Sequence, residues 1–372
     1  MTQLAISHRV ESPIETLQVA AYRIPTDAPE SDGTYEWDST TLVVVEITAS
    51  GSTGIGYTYA DTSTAVLIRD HLSVAIAGKN AMDVAGNWEA MMHAVRNLGR
   101  PGIASMAIAA VDIALWDLKA SLLHLPLASL LGQTRSSVPA YGSGGFTSYS
   151  VEQLERQLGE WSREGMHFVK MKIGREPKHD VERVRAARNA IADSTQLFVD
   201  ANGAYGRKQA IKFADKFAEY GVPWFEEPVS SDDLEGLRQV REHIPSGMEV
   251  AAGEYGYDVP YFMQMLGAEA VDVLQVDATR CEGITGFLQV ASLCKAHSIP
   301  LSAHTAPTLH SNICCSVLAD VRHVEYFHDH ERIEHLFFDG ACTPAQGCLH
   351  PNTSESGLGI TLKRADARRY AV

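Results

Sequence analysis

Phe168-Val169-Lys170-Met171-Lys172 alternates apolar and basic side chains over five residues, and a helical pattern then leads to Leu197-Phe198-Val199-Asp200. A short strand with a polar end, a helix and a second such strand make a parallel βα unit. Working outward, the same unit recurs in Val138-Pro139-Ala140-Tyr141, Trp224-Phe225-Glu226, Val250-Ala251-Ala252-Gly253-Glu254, Val273-Leu274-Gln275-Val276-Asp277, Leu301-Ser302-Ala303-His304 and His323-Val324-Glu325. The polar endings at 172, 200, 226, 254, 277, 304 and 325 lie 21–28 residues apart, room for one helix and one strand each. Eight such strands predict an α/β barrel, whose chemistry sits at the C-terminal strand ends. Successive strands would thus deliver ionisable side chains to one ring.

Upstream the pattern differs. Residues 15–24 and 41–48 read as strands, the second continuing through Gly51-Ser52-Thr53-Gly54 into 55–59, and helical periodicities cover 64–76, 82–97 and 103–123. The expected organisation is an N-terminal α+β domain over residues 1–135, completed by about 345–372, and a barrel over 136–345. At 372 residues the chain exceeds what one core usually fills, and its 45% hydrophobic and 21% charged content is that of a globular protein. A net charge of −15 repels phosphate backbones and anionic lipid, which argues against nucleic acid and membrane partners. The most apolar helical stretch carries Asp112, Asp117 and Lys119, and no basic start precedes an apolar run, so the chain reads as cytosolic. Its six cysteines show no CxxC pair or zinc-like spacing and read as reduced, buried thiols.

Asp200, Glu226 and Glu254 end three consecutive strands. Two carboxylates about 4 Å apart repel by roughly 4 kcal/mol at an effective dielectric near 20. An all-oxygen set with open positions suits Mg²⁺, which relieves that repulsion; helix-capping surface acids are the alternative for any one of them. Lys170 and Lys172 share a strand face, pointing into the barrel if Val169 and Met171 face the helices. A second cation and a metal nearby would lower a lysine pKa towards the range useful to a base, and Lys172 lies nearer the strand end. Asp277 and His304 end neighbouring strands, close enough for the carboxylate to fix the imidazole tautomer. Glu325 closes the ring as a protonated acid or as an acceptor for a substrate hydroxyl.

Together these residues resemble the enolase superfamily, specifically its mandelate racemase subgroup. The matching stretches are VKMKIG (169–174), FVDANG (198–203), WFEEP (224–228), AAGE (251–254), QVDA (275–278), SAHT (302–305) and HVEYF (323–327), with AAVDIALWDLKA (109–120) upstream and GLGITL (357–362) near the end. The resemblance implies a modified TIM barrel, (β/α)7β, with an N-terminal α+β capping domain, and a homo-oligomer. It implies Asp200, Glu226 and Glu254 as Mg²⁺ ligands, Lys172 and His304 as the acid/base pair, and Asp277 as the partner of His304. Lys170 would assist Lys172 and contact the substrate carboxylate, Glu325 would bond a carboxylate or enediolate oxygen, and Asn202, Tyr141 and Ser143 would line the pocket. Arg280-Cys281-Glu282-Gly283 departs from the subgroup's frequent lysine and paired glycines, so a different backbone is expected there.

The expected chemistry is removal of the α-proton of a hydroxy carboxylate. Racemisation, dehydration and opening of an anhydro-sugar acid all share that step; a different metal-dependent barrel enzyme and a metal-binding scaffold without catalysis are the readings from other classes. Loops at 22–40 and 57–61 are expected to roof the barrel mouth, with Trp37 and Tyr59 at the substrate. That roof holds Asp27, Glu30, Asp32, Glu36 and Asp38 but, between Pro25 and Asp61, no lysine or arginine. Its acidity favours the neutral tail of a monoacid sugar over the second carboxylate of a diacid.

Overall fold

A computed structural model describes residues 11–372, so the first ten residues of the expected N-terminal domain lie outside it. An antiparallel sheet comes first, β1 (Thr16–Ser31), β2 (Glu36–Ala49) and β3 (Ser52–Tyr59) in that spatial order. The β1–β2 register runs from Thr16 opposite Thr48 to Pro25 opposite Ser39, breaks at a bulge, and resumes with Glu30 opposite Trp37. Residues 22–40, expected as a loop, are therefore the outer half of a hairpin. Proline is tolerated because β1 is an edge strand, and Pro29 falls within the bulge, where no ladder hydrogen bond is lost.

Helix α1 (Thr62–Leu67) passes through a π-helical turn, Ile68–Leu72, into α2 (Ser73–Ile76), followed by α3 (Val84–Ala94), α4 (Ile103–Leu122) and α5 (Leu127–Leu131). α4 is apolar almost all round because it lies between the sheet and the barrel. Gly56 on β3 permits that contact, since a Cβ there would stand 2.1 Å from the Ala110 carbonyl oxygen.

Eight parallel strands then close on themselves: β4 (Val138–Gly144), β5 (Phe168–Lys172), β6 (Gln196–Asp200), β7 (Trp224–Glu226), β8 (Glu249–Ala252), β9 (Val273–Val276), β10 (Leu301–Ala303) and β11 (Val321–Phe327), with β11 pairing β4. All eight expected strands are present. The connecting helices are α6 (Val151–Arg163), α7 (Pro177–Ala190), α8 (Arg207–Ala218), α9 (Leu234–His243), α10 (Val259–Gly267), α11 (Gly283–His297) and α12 (Pro307–Cys314), and α13 (His328–Phe337) follows β11. Val169 and Met171 pack outward into the layer between strands and helices, whereas Tyr141, Phe198, Trp224, Ala251 and Val273 fill the barrel interior. The fold is a modified TIM barrel with an N-terminal cap.

The tail carries three short strands, β12 (Phe338–Asp339), β13 (Cys348–Leu349) and β14 (Thr361–Leu362), and turns back to the cap. Leu358 N–H donates to Asp117 Oδ1 at 2.5 Å and Val372 N–H to the Ala21 carbonyl at 3.1 Å. The six cysteines are free thiols; Cys281, Cys294, Cys314 and Cys315 are buried, but Cys342 and Cys348 are only half-buried, correcting the expectation that all would be. No helix among the described residues is long and apolar enough to cross a membrane.

The hairpin tip rests on the barrel. Ser31 Oγ lies 2.6 Å from Thr147 Oγ1, and the Thr147 N–H donates to the Ser31 carbonyl at 2.8 Å. Gly33 sits so close to the turns after β5 and β6 that a Cβ would meet the Ile173 and Ala201 carbonyl oxygens at 2.7 and 2.3 Å.

Candidate active site

Parallel register places Lys172 beside Asp200 and Asp200 beside Glu226, a row across β5, β6 and β7. Glu254 enters from the turn after β8. One oxygen from each of Asp200, Glu226 and Glu254 lies within 4.8 Å of the others, and none of the three residues is more than 3% exposed. Burial and then the charge of Asp200 push the Glu226 carboxyl well above its usual range. Glu254 Oε2, buried, has no hydrogen-bond partner within the protein. Three converging carboxylates with an unused oxygen fit a hard divalent cation requiring oxygen ligands.

Lys172 Nζ donates to Asp200 Oδ2 at 2.5 Å; Lys170 Nζ bonds Glu226 and lies 2.9 Å from Glu325 Oε1 and 3.2 Å from Asp200 Oδ2. Among the chain's own charges the balance runs opposite to the lowering expected beside a metal. Burial pulls both ammonium groups down, but Glu226 and Glu325 hold Lys170 well above its ordinary value, and Asp200 does the same for Lys172 despite Lys170. The carboxylates outweigh the second cation. Only positive charge brought against Asp200 and Glu226 would release Lys172 towards a base.

Across the ring, His304 Nδ1 lies 2.9 Å from Asp277 Oδ2, leaving Nε2 directed at 3.4 Å from Glu254 Oε2 and 3.6 Å from Glu325 Oε2. Burial raises Asp277, but hydrogen bonding and charge from His304 hold it well below the carboxylate range, so it is an anion. Burial likewise raises Glu325, and Lys170, His304 and Lys172 outweigh it, holding it down to about 2. Glu325 is thus an acceptor rather than a protonated acid, and it takes the Thr305 N–H at 3.2 Å.

The turns after these strands are strained. Asn202, Glu227, Glu282, Thr305 and Ala306 all have φ between 40° and 64°, a region costing non-glycine residues of order 1–3 kcal/mol each. At Glu282, followed by Gly283 at φ 89°, the left-handed backbone persists where the sequence departs from paired glycines. Glu227 was missed from sequence, although it sits within WFEEP; burial and then Glu254, Asp200 and Glu226 push its carboxyl well above the usual range. Arg280 was missed as well. Its Nη1 donates to the Glu254 carbonyl at 2.9 Å, its Nε lies 3.7 Å from Asp277 Oδ2, and its guanidinium stands 5.1 Å from the Tyr255 ring centre.

A cavity of about 430 Å³ opens above this ring, with Lys172, Asn202, Glu254, Arg280, His304 and Glu325 below and Asp32, Tyr35, Trp37, Tyr59 and Asp61 from the cap. Trp37, Tyr59 and Asn202 line it as expected. Tyr141 and Ser143 do not. Both are fully buried in β4, and the Tyr141 ring lies 5.3 Å from Lys170 Nζ, supporting the floor from beneath. Tyr59 stacks on His330, with ring centres 3.5 Å apart, and burial pulls that imidazole down to about 3, so it is neutral.

The acidity of the roof is also corrected. Glu36 pairs with Arg175, Asp27 with His328, and Asp38 accepts from Ser39, all away from the cavity. Glu30 is buried; burial and then Asp329 push it up to about 9, against the hydrogen bond from Trp37 Nε1 at 2.8 Å. Of the roof's acids, Asp32 and Asp61 are the ones among the described residues that line the cavity.

Residues 16–132 match the family described as mandelate racemase / muconate lactonizing enzyme, N-terminal domain, and residues 153–367 match the enolase C-terminal domain-like family. A mandelate racemase/muconate lactonizing enzyme-like protein from Rubrobacter xylanophilus is 52% identical, with a TM-score of 0.94 over 97% of this chain and 100% of that one. A Streptomyces coelicolor racemase solved with bound magnesium is 31% identical, with a TM-score of 0.91 over 96% of this chain and 100% of its own. The 3,6-anhydro-alpha-L-galactonate cycloisomerase of Streptomyces coelicolor is 33% identical over 367 residues, 96% of this chain and 99% of that protein. Further relatives are acid-sugar dehydratases. By both halves of its sequence and by its fold, the chain belongs to the mandelate racemase subgroup of the enolase superfamily.

Proposed function

We propose that this protein is a magnesium-dependent enzyme that removes the α-proton of a monoacid sugar and expels the β-oxygen, giving a 2-keto-3-deoxy acid. The observation that carries the reading is the placement of Lys172 and His304. They stand on β5 and after β10, nearly opposite across a closed ring of eight strands, and line the same cavity beside the carboxylate triad. Asp200, Glu226 and Glu254 would hold Mg²⁺, which supplies Lewis-acid stabilisation of charge developing on the substrate carboxylate.

The remaining roles belong to the chain. Lys172 or His304 takes the α-proton, and the group on the other face stands ready to protonate the leaving oxygen. Asp277 holds His304 Nδ1 so that Nε2 faces the cavity. Lys170, buried between Glu226 and Glu325, adds fixed positive charge beneath the substrate carboxylate. Asn202 offers its side-chain amide from the cavity floor, and the cap excludes water through Trp37 and Tyr59.

The reading for a neutral polyol tail now rests on the balance of the cavity. Arg280, the one arginine lining it among the described residues, already faces Glu254 and Asp277, which leaves little charge to receive a distal carboxylate against Asp32 and Asp61. With a free β-hydroxyl the product pair is keto acid and water. A second reading, opening of an anhydro ring at the same β-oxygen, is favoured by the full-length likeness to the anhydrogalactonate cycloisomerase. The test is incubation with Mg²⁺ in D₂O against matched aldonates, anhydro-aldonates and aldarates, following deuterium at the α-carbon and keto-acid formation. Absence of exchange on every acid would overturn the α-proton chemistry; a clear preference for aldarates would overturn the monoacid assignment.

A further inference from the structure

A second group of ligating side chains lies outside the ring, where the cap meets the barrel. Asp27 and Glu30 come from β1, and His328 begins α13, three residues after Glu325 in sequence. One oxygen of each carboxyl and one imidazole nitrogen lie within 4.8 Å of one another. His328 Nε2 stands 3.0 Å from Asp27 Oδ2. Two donors about 2.1 Å from one ion and at right angles are about 3.0 Å apart, and donors on opposite sides are about 4.2 Å apart. The set therefore closes round an ion with a shift of less than about 1 Å.

Glu30 supplies an independent observation. It is 0% exposed, and its Oε1 has no hydrogen-bond partner although Oε2 accepts from Trp37 Nε1 at 2.8 Å. Arg332, a basic neighbour, is turned to Asp329 Oδ1 at 2.5 Å and the Pro25 carbonyl at 2.8 Å. Leaving a buried carboxyl oxygen bare is costly. Asp27 is about half exposed, which gives an ion a route from solvent.

We propose that Asp27, Glu30 and His328 form a second divalent-cation site, distinct from the triad, that pins the roof to the barrel. The mixed imidazole and carboxylate set selects a first-row transition ion such as Zn²⁺, Co²⁺ or Mn²⁺ over Mg²⁺. Binding ionises Glu30 for ligation and fixes the carboxyl that holds the Trp37 indole, and through it one wall of the cavity. This inference does not depend on which acid the enzyme turns over.

Co²⁺ serves as the probe, because its visible absorption shifts when an imidazole nitrogen replaces water among its ligands. The full chain is titrated with Co²⁺ as wild type, Glu254→Gln, His328→Ala and Asp27→Asn, and crystals of each are soaked for anomalous scattering. The expected result is a Co²⁺ peak between β1 and α13 that survives Glu254→Gln and is lost in His328→Ala and Asp27→Asn. Co²⁺ should also slow hydrogen exchange of the β1 amides in wild type but not in His328→Ala. Asp27 and His328 are partly exposed, and the circular dichroism of both variants should match wild type. A peak at the triad alone, or equal Co²⁺ stoichiometry in wild type and both β1–α13 variants, would overturn the proposal.

Discussion

At the barrel mouth, Lys172, Asp200 and Glu226 stand in one hydrogen-bonded row of three strands and are almost wholly buried, whereas Tyr35 and Trp37 of the roof ride on a bulged hairpin and Tyr35 is 66% exposed. In the first region, backbone register places Lys172, Asp200 and Glu226, and Lys172 is paired with Asp200. In the second, position depends on a few contacts: Thr40 on Asp329, Ser31 on Thr147, and Tyr59 OH on the His330 carbonyl at 3.3 Å. The difference separates two tasks. In the proposed mechanism, chemistry falls to the tightly held positions and choice of substrate to positions that can change without disturbing them.

The sharpest way to break this division is at the ring. Lys172→Ala and His304→Asn, made separately, should each lower turnover by about 10²–10⁴-fold, the usual worth of a positioned acid or base. Calorimetric Mg²⁺ affinity should change much less. If both variants bind Mg²⁺ and turn over at the wild-type rate, the ring does not perform the reaction. Asp277→Asn should cost less, about 10–100-fold, because it frees His304 without removing it.

At the roof the effect should fall on a different parameter. Trp37→Ala is expected to raise KM and alter the ranking of acid sugars, changing kcat/KM by about tenfold, or about 1.4 kcal/mol, with Mg²⁺ affinity intact. Steady-state kinetics over a substrate panel beside a Mg²⁺ titration would show it. Equal losses in metal binding and in specificity would mean that the two regions are one.

The smallest effect concerns the seam between the regions. Asp112 of α4 accepts from the Thr285 N–H and hydroxyl at 2.9 and 2.6 Å, and Glu334 of α13 accepts from the Tyr57 hydroxyl at 2.6 Å. Burial pushes both carboxyls up to about 7. Between the unfolded carboxyl range near pH 4 and about pH 7, the folded protein therefore holds protons that the unfolded chain has released. The contribution of these two groups to stability should fall as pH rises through that window and level off above it. Melting temperatures from pH 5 to 8 would show the slope, and Asp112→Asn should flatten it. An unchanged slope would remove Asp112 from the cause.

Much of the ring was legible because a parallel barrel repeats. Six strands each bring a residue at, or within two positions of, their C-terminal end to the same rim, so spacing in the chain reports position in space, and Asp200, Glu226, Glu254, Asp277, His304 and Glu325 all meet there. What escaped was decided by partners distant in sequence. Pro25 and Pro29 mark a loop in isolation, yet a bulged edge strand accommodates them. The lysines share their face with carboxylates from three other strands, a pairing that only the fold reveals. Tyr141 and Ser143 lie on the correct strand but are fully buried and do not line the cavity. Arg280 follows a strand end by three residues, and only the fold of its turn brings it over Tyr255.

Gly33 seats the hairpin against two backbone carbonyls and the methyl of Ala204, a contact that involves no polar side chain. Drift at Trp37, Ser39 or Thr41, all on the cavity wall, leaves the height of that seat unaltered. A lineage can thus exchange the recognition surface while inheriting the dock unchanged. For directed evolution the same feature suggests a library: randomise the wall and hold Gly33, because any bulkier residue there lifts the whole roof and discards its variants before selection on substrate begins.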